Sequence, residues 1–163
     1  MHQYDYVIVG AGSAGSALAS RLSESGKFTV CLLEAGGSDR KFWVQMPLGY
    51  GKVFHDPSVN WRYMTEPEPN LDNQSVYWPR GKVLGGSSSI NAMVWVRGHK
   101  RDYEEWASVA PGWDWNNVQK IFNRIENWDG TSDVSRGMNG PQAVHDVSSD
   151  VHPLTISYLE AAS

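Results

Sequence analysis

The sequence predicts an α/β chain whose parallel sheet is incomplete, and three observations predict it. Residues 4–9, Tyr-Asp-Tyr-Val-Ile-Val, are β-branched and aromatic and run into Gly10. From Ser13 to Ser25 the pattern turns helical, with Ala14, Leu18 and Leu22 four apart on one stripe and Ala17 beside them. Residues 28–33, Phe-Thr-Val-Cys-Leu-Leu, form a second apolar run. Strand, helix and strand in such close succession need a crossover connection and therefore parallel pairing. An open sheet of this kind normally holds several more strands. Only two are visible, so the chain reads as the first portion of a longer fold.

Taken in order, Val7, Ile8 and Val9 are continuous enough for a strand buried on both faces. Gly26 is placed to cap the following helix. The alternation then stops, because residues 36–81 are rich in Gly, Pro, Asn and Asp with scattered tryptophans. So long an irregular stretch in a compact domain is expected to be a lid or a ligand cover. Residues 83–84 and 90–96 are apolar and flank Gly85-Gly86-Ser87-Ser88-Ser89. Residues 101–110 are helical, with Tyr103, Trp106 and Ala107 on one side. Asp114 caps a stronger helix carrying Trp115, Val118, Ile121, Phe122 and Ile125. Residues 128–141 are polar and Gly-rich, Gln142–Val147 reads as a strand, and Pro153–Ala162 reads as an amphipathic helix with Leu154, Tyr158 and Leu159 on its apolar side. No repeat, charge block or linker divides the 163 residues, a length that suffices for one domain with a core and not for two.

Composition narrows the function classes. A net charge of −4 argues against a phosphate-backbone binder, which needs clustered Lys and Arg. The eight tryptophans lack an accompanying basic groove, so they are assigned to packing and not to nucleic-acid bases. A single cysteine, Cys31, closes no internal disulfide and builds no thiolate metal site. No run of about 20 apolar residues suggests a transmembrane helix. Met1-His2-Gln3-Tyr4-Asp5 lacks the basic start of a signal peptide, so Asn73-Gln74-Ser75 is read as a chance glycosylation match. The expected location is cytoplasmic, with peripheral membrane association left open.

Gly10-Ala11-Gly12-Ser13-Ala14-Gly15 is Gly-x-Gly-x-x-Gly, the dinucleotide fingerprint. Its first glycine makes the tight turn, its second admits a pyrophosphate to the backbone, and its third lets helix and strand pack closely. A helix opening at Ser13 aims free N–H groups and a positive dipole end at the phosphates. The bare motif is weak, but here it follows a strand, opens a helix and is answered by Glu34 nineteen residues after Gly15. A carboxylate at the end of the second strand accepts hydrogen bonds from ribose hydroxyls and repels a 2′-phosphate, which disfavours NADP. NAD and FAD fit this fingerprint alike.

The segment Trp78-Pro79-Arg80-Gly81-Lys82-Val83-Leu84-Gly85-Gly86-Ser87-Ser88-Ser89-Ile90-Asn91-Ala92-Met93-Val94 carries the most information. Small residues in an apolar setting point to backbone closely approached by a ligand. A second such site beside an adenosine site suits an extended cofactor, flavin better than nicotinamide. This segment resembles the first signature of the glucose-methanol-choline (GMC) oxidoreductases. The resemblance extends through Glu34-Ala35-Gly36-Gly37, Met46-Pro47-Leu48-Gly49, Asn60-Trp61-Arg62-Tyr63, Val96-Arg97-Gly98-His99 with Asp102-Tyr103, and Gly112-Trp113. It is nearest in pattern to bacterial choline-dehydrogenase-like members and primary-alcohol dehydrogenases.

That resemblance implies the N-terminal part of a Rossmann-like FAD-binding domain of the GMC type over residues 1–163. Within it, residues 4–37 would be the βαβ dinucleotide unit, 38–81 a cofactor-covering excursion, 82–98 the flavin-side motif, and 99–163 segments leading to a missing substrate domain. It implies that Gly10, Gly12, Ser13, Ala14 and Gly15 bind the FAD pyrophosphate region, with Glu34 holding the ribose and Ala35 and Arg80 also cofactor-binding. Val83, Gly86, Ser87, Asn91, Ala92, Met93 and Val94 would lie along the flavin, where backbone amides stabilise negative charge on the reduced ring. Some members attach FAD through a histidine inside this motif. Ile90 stands at the matching position, so FAD is expected to be non-covalent.

The family activity implied is oxidation of a small primary alcohol to an aldehyde by hydride transfer to flavin. The family's base is a histidine far toward the C-terminus, and a base must lie within hydrogen-bond reach of the proton it takes. His2, His55, His99, His145 and His152 do not match it and read as surface or capping residues, so no catalytic residue and no metal ligand is assigned here, and this chain alone is expected to be inactive. Ser87, Ser88 and Ser89 lack the Gly-x-Ser-x-Gly context of a hydrolase. Glu104-Glu105 and Glu66-Pro67-Glu68 are adjacent charges and not a glycosidase pair. The alternatives are a non-catalytic truncated FAD-binding module, an NAD-linked dehydrogenase, which leaves Gly85–Asn91 unexplained, and a relative using flavin for light-driven decarboxylation. Substrate, electron acceptor and oligomeric state are not legible.

Overall fold

The computed structural model describes residues 2–162. They form two compact units divided between Val94 and Trp95, where the sequence suggests one domain. In the first unit, β1 (Tyr6–Val9) and β2 (Val30–Leu33) pair in parallel, Tyr6 opposite Val30 and Val9 opposite Leu33. The crossover is α1 (Ser13–Ser23), which ends two residues before the sequence suggests. Gly26 does not cap it. It lies in the turn beyond with a φ of 67° and donates its N–H to the Ser23 carbonyl at 2.9 Å. β2 starts late because Phe28 and Thr29 have other partners: Phe28 packs edge-on to Tyr6 at 5.3 Å, and Thr29 N–H donates to Asp5 Oδ2 at 2.7 Å. Burial of β1 on both faces is not seen. Val7 and Val9 are exposed, because two strands and one crossover helix cover little of either face.

Residues 36–81 are more ordered than their composition suggests. They contain α2 (Phe42–Gln45), α3 (Tyr50–Val53) and an antiparallel pair, β3 (Tyr63–Met64) with β4 (Tyr77–Trp78). The core is small: Val53, Val59, Val83 and Ile90, with Val44 packed against them. Through it runs segment 81–86, whose backbone joins three otherwise separate parts. Lys82 N–H donates to the Val59 carbonyl (2.7 Å), Leu84 N–H to Gly37 (2.9 Å) and Gly85 N–H to Ala11 (2.8 Å). The apolar run 90–96 makes no strand, and Met93 interrupts it with a left-handed φ of 59°.

The second unit contains α4 (Lys100–Ala107), α5 (Trp115–Ile125), the parallel pair β5 (Glu126–Trp128) and β6 (Gln142–Val144), and α6 (Pro153–Ala162). Asp114 caps α5 as expected, its Oδ1 accepting Asn117 N–H at 3.2 Å. Tyr103 of α4 meets Trp115 and Phe122 of α5 at ring-centroid distances of 5.6 and 6.1 Å. Beneath them Glu126 is fully buried. Its Oε2 accepts a very short hydrogen bond from Arg97 Nη2 and another from Gly137 N–H at 3.1 Å. Arg136 Nη2 lies 2.8 Å from Oε1, a charge contact outside hydrogen-bond angles. Both guanidinium groups are sandwiched against rings, Arg97 over Phe122 and Arg136 over Trp128. Among the described residues no helix is long and apolar enough to cross a membrane.

Candidate functional site

Because β1 and β2 are parallel, the loop leaving β1 and the end of β2 open on the same edge of the sheet, the edge where ligands bind in this topology. Gly10 turns the chain with a φ of 95° and donates its N–H to the Leu33 carbonyl at 2.7 Å. α1 then opens at Gly12 with no side-chain cap and no acidic residue in its first turn. Its first N–H groups are left for an anion. Gly15 is where helix and strand touch: an added Cβ would lie 2.0 Å from the Gly10 carbonyl oxygen.

The second glycine cluster closes against the first. Gly85 bridges to Gly12, and a Cβ on Gly86, whose φ is 58°, would come within 2.8 Å of the Gly12 Cα. Ser13 and Ser88 join their hydroxyls in a very short hydrogen bond across this seam. The other two serines bond within the cluster: Ser87 Oγ accepts Gly81 N–H at 3.1 Å and Ser89 Oγ donates to the Leu84 carbonyl at 2.6 Å.

Glu34 has a role that its spacing does not reveal. Its Oε2 accepts Ala11 N–H and its Oε1 accepts Gly36 N–H, both at 2.8 Å. The carboxylate therefore fixes the fingerprint loop to the strand end. A carboxylate offers about four lone-pair sites, so acceptor capacity is left over. Glu34 and Ala35 share with Gly10, Gly12, Arg80 and Ser87 the lining of one cleft of about 610 Å³. That lies within the range of small-molecule sites. Arg80 is exposed there, donating to the Pro79 carbonyl at 2.7 Å and stacking on Trp78 at 5.0 Å.

The residues expected along a flavin are less assembled. Asn91 and Met93 line a separate hollow of about 140 Å³ with Trp43, Tyr50 and Ile90. Asn91 Oδ1 accepts Met93 N–H at 2.8 Å and supports its left-handed turn. Ala92 and Val94 are exposed and outside that hollow. Val83 stands apart: its side chain is fully buried in the core, so only its backbone is available to a ligand. Ile90 is buried beside it. Sequence reasoning missed Asn60, Trp61 and Tyr63 as site residues. The two aromatics line the 610 Å³ cleft, and Asn60 is buried behind them. The aromatic pattern at 61 and 63 is a signal, but without the fold it reads as packing.

Four of the five histidines are engaged elsewhere. His55 stacks on Tyr77, and His99 Nδ1 accepts Arg101 N–H at 3.2 Å in a capping box. His152 accepts Leu154 N–H at 3.2 Å, and His145 Nδ1 lies 2.5 Å from Asp129 Oδ2. Among the described residues no group of His, Cys, Asp and Glu is arranged to hold a metal.

The GMC oxidoreductase family matches residues 4–163. The chain belongs to the GMC oxidoreductases. An oxygen-dependent choline dehydrogenase of Photobacterium profundum is 46% identical over 160 residues, 97% of this chain and 28% of that protein. The protein of the same name from Vibrio vulnificus is 51% identical over 139 residues, covering 85% of this chain and 25% of its own length. Among solved structures, pyridoxine 4-oxidase from Mesorbium loti superposes with a TM-score of 0.89 at 35% identity, covering 98% of this chain and 31% of that one. An FAD-dependent oxidoreductase from Chaetomium thermophilum gives 0.80 at 30% identity, covering 98% and 29%. This GMC oxidoreductase chain thus spans a quarter to a third of the length of the relatives it matches. The fold is the N-terminal FAD-binding region of that family, and FAD is the cofactor that the family binds.

The donor set fits such a group. An uncapped helix start, glycine backbone that any Cβ would obstruct, and an acid with spare lone pairs together suit a diphosphate joined to a ribose.

Proposed function

We propose that these residues hold the adenosine and diphosphate part of FAD, and one wall of its flavin pocket, in an enzyme that oxidises a small primary alcohol to an aldehyde. The observation that carries this reading is the glycine seam. Two glycine-rich segments, one at the start of α1 and one in 85–86, meet so closely that a Cβ on Gly86 would lie 2.8 Å from the Gly12 Cα. The names of the choline dehydrogenases support an alcohol substrate, choline among the candidates.

Flavin, when bound, would supply a two-electron acceptor for the hydride of the alcohol carbon, with the hydroxyl proton going to a base and an aldehyde as the product. The chain's own part is binding and orientation. N–H groups at the start of α1 and the Arg80 charge would offset the diphosphate. Glu34 would accept from ribose hydroxyls while still holding Ala11 and Gly36. Peptide N–H groups in 91–94, other than that of Met93, which Asn91 Oδ1 holds, would stabilise charge that accumulates on the ring. No base is assigned to this chain, because His55, His99, His145 and His152 stack, cap or pair with Asp129 and none of its histidines stands where the family's base would. Attachment would be non-covalent, since Ile90 offers a buried hydrocarbon side chain where a linking nucleophile would stand. The unpaired thiol of Cys31 supports a reducing, cytoplasmic setting.

The test is to mix the purified protein with FAD, desalt it and record the visible spectrum before and after denaturation. Retained flavin absorbance that is released on denaturation is expected. Absence of retained flavin overturns the reading, and flavin that stays attached overturns the non-covalent assignment. Flavin bleaching by an alcohol in residues 1–163 alone would show that the base is present after all.

A further inference from the structure

Four aromatic side chains of the second unit surround a hollow of about 500 Å³: Tyr103 and Trp106 of α4, Trp113 just before α5, and Phe122 of α5, with Val118 and Ile121 completing the wall. Tyr103 and Trp106 are three apart and share one face of α4, as Val118, Ile121 and Phe122 do on α5. Gly112, with a left-handed φ of 90°, turns the chain between the helices and brings Trp113 against Trp106. The rings meet at steep angles, 77° between Tyr103 and Trp106, 69° between Trp106 and Trp113, and 73° between Tyr103 and Phe122. They are adjoining walls and not a stack. Tyr103 is buried at the floor, whereas Trp106 and Trp113 are 52% and 50% exposed.

The lining side chains offer almost nothing to a hydrogen-bond donor. Indole N–H groups only donate, and the Tyr103 hydroxyl oxygen already accepts Gly98 N–H at 3.3 Å. A cation bearing N–H groups would leave them unpaired there, at the cost of burying an unsatisfied polar group. What the walls do offer is the negative face of aromatic rings, which attracts positive charge. Phe122 is already used in this way: the Arg97 guanidinium lies 5.2 Å from its ring centre, and Glu126 balances that charge. Among the described residues no cation lies over Trp106 or Trp113. The charge of the unit favours a cation as well. Residues 95–163 hold ten Asp and Glu against six Lys and Arg, whereas residues 1–94 hold eight of each. The second unit therefore carries the whole net charge of −4, a field that draws cations to its surface.

We infer that this hollow binds a small organic cation whose ammonium group is fully methylated, with the Trp106 and Trp113 rings taking the charge. Methyl groups replace every N–H, so the ligand brings no donor that the walls leave unpaired. Its positive charge separates it from a neutral group of the same bulk, which gains only burial. The volume lies within the range of small-molecule sites and leaves room for a substituent beyond the methylated head. Binding there needs no flavin.

The probe is tetramethylammonium chloride, which has no hydroxyl to oxidise, compared at constant ionic strength with tert-butanol, which is similar in bulk and uncharged. Tryptophan fluorescence and calorimetry follow both titrations. The wild type is expected to give a saturable response to tetramethylammonium and none to tert-butanol over the same range. Trp106→Leu and Trp113→Leu should each weaken binding of the cation about 2- to 30-fold, the range for losing one cation–π contact. A wild type that ignores the cation overturns the inference, whether the hollow stays open or, by size-exclusion chromatography, is closed by a second copy of the chain. An equal response to tert-butanol overturns it too, because the hollow then selects bulk and not charge. Cation affinity unchanged in both leucine variants does the same. Where a leucine variant misfolds by near-ultraviolet circular dichroism, the wild type alone decides: nuclear Overhauser effects should join the methyl protons of tetramethylammonium to the indole protons of Trp106 and Trp113, and their absence overturns the assignment.

Discussion

The two units of this chain place different contacts at their centres. In residues 2–94 the decisive contacts are between backbones: Gly15 against Gly10, Gly86 against Gly12, and the carbonyl and amide groups of 81–86 against three neighbours. In residues 95–162 they are between side chains, with Glu126 caught between Arg97 and Arg136 under a layer of rings. Backbone contacts leave peptide N–H groups at the surface of a cleft, ready for a ligand. Side-chain contacts consume the polar groups that they bring together. Adding atoms should harm the first unit at Gly15 and the second at Gly137, where a Cβ would lie 1.9 Å from the Asn123 carbonyl oxygen, while the second unit is also exposed to the loss of its buried charge.

Glu126→Ala should give the largest effect. It leaves two guanidinium groups without their shared carboxylate, and removing one member of a buried ion pair costs about 3–5 kcal/mol. Chemical denaturation of the variant measures it, and a change well under 1 kcal/mol would place the strength of the second unit elsewhere.

Gly15→Ala comes next. Its Cβ meets the Gly10 oxygen at 2.0 Å, and backbone cannot swing aside as a side-chain tip can. A loss of about 1–3 kcal/mol is expected from such overpacking, accompanied by weaker FAD retention. Gly37→Ala is the matched control, since nothing lies within 4 Å of the added atom and its φ is not left-handed. Both the stability and the flavin retention of that variant should resemble the wild type, and equal damage by the two substitutions would refute steric closure as the cause.

Acid should give the smallest and most diffuse effect, and in both units. Thr29 N–H and hydroxyl hold the Asp5 carboxyl below the usual range, and Asp146 N–H, with His145 beside it, does the same for Asp129. A depressed folded-state pKa stabilises above the unfolded value of about 3.9 and loses that stabilisation as pH falls through the folded value. The midpoint of thermal unfolding should therefore hold steady from neutrality to roughly pH 4 and decline below it. A decline beginning above pH 5 would implicate other groups.

What the sequence revealed follows the same division. The βαβ unit and the Asp114 cap were legible because their signals are local: a strand run, a glycine turn, a helical stripe, an acid before a first turn. The glycines of the seam were legible as small residues, although their mutual contact was not, since 10–15 and 85–86 are far apart in the chain. Glu34 was picked out by its spacing for a ribose, while its bonds to Ala11 and Gly36 came only with the fold. The ion pair of Arg97 and Glu126, 29 positions apart, has no sequence signature at all. The helical pieces within 36–81 were hidden for a different reason. They are four residues long and sit among prolines and glycines, so no periodicity can accumulate.

The bond between Ser13 and Ser88 spans 75 positions. A chain leaving the ribosome therefore exposes its phosphate loop long before the segment that closes it has been made. Joining such distant pieces is slow, because the entropy of closing the intervening loop is lost before the contact repays it. The dinucleotide loop is thus made before the segment that closes it, and a cofactor that binds only the closed form would enter after the two have met.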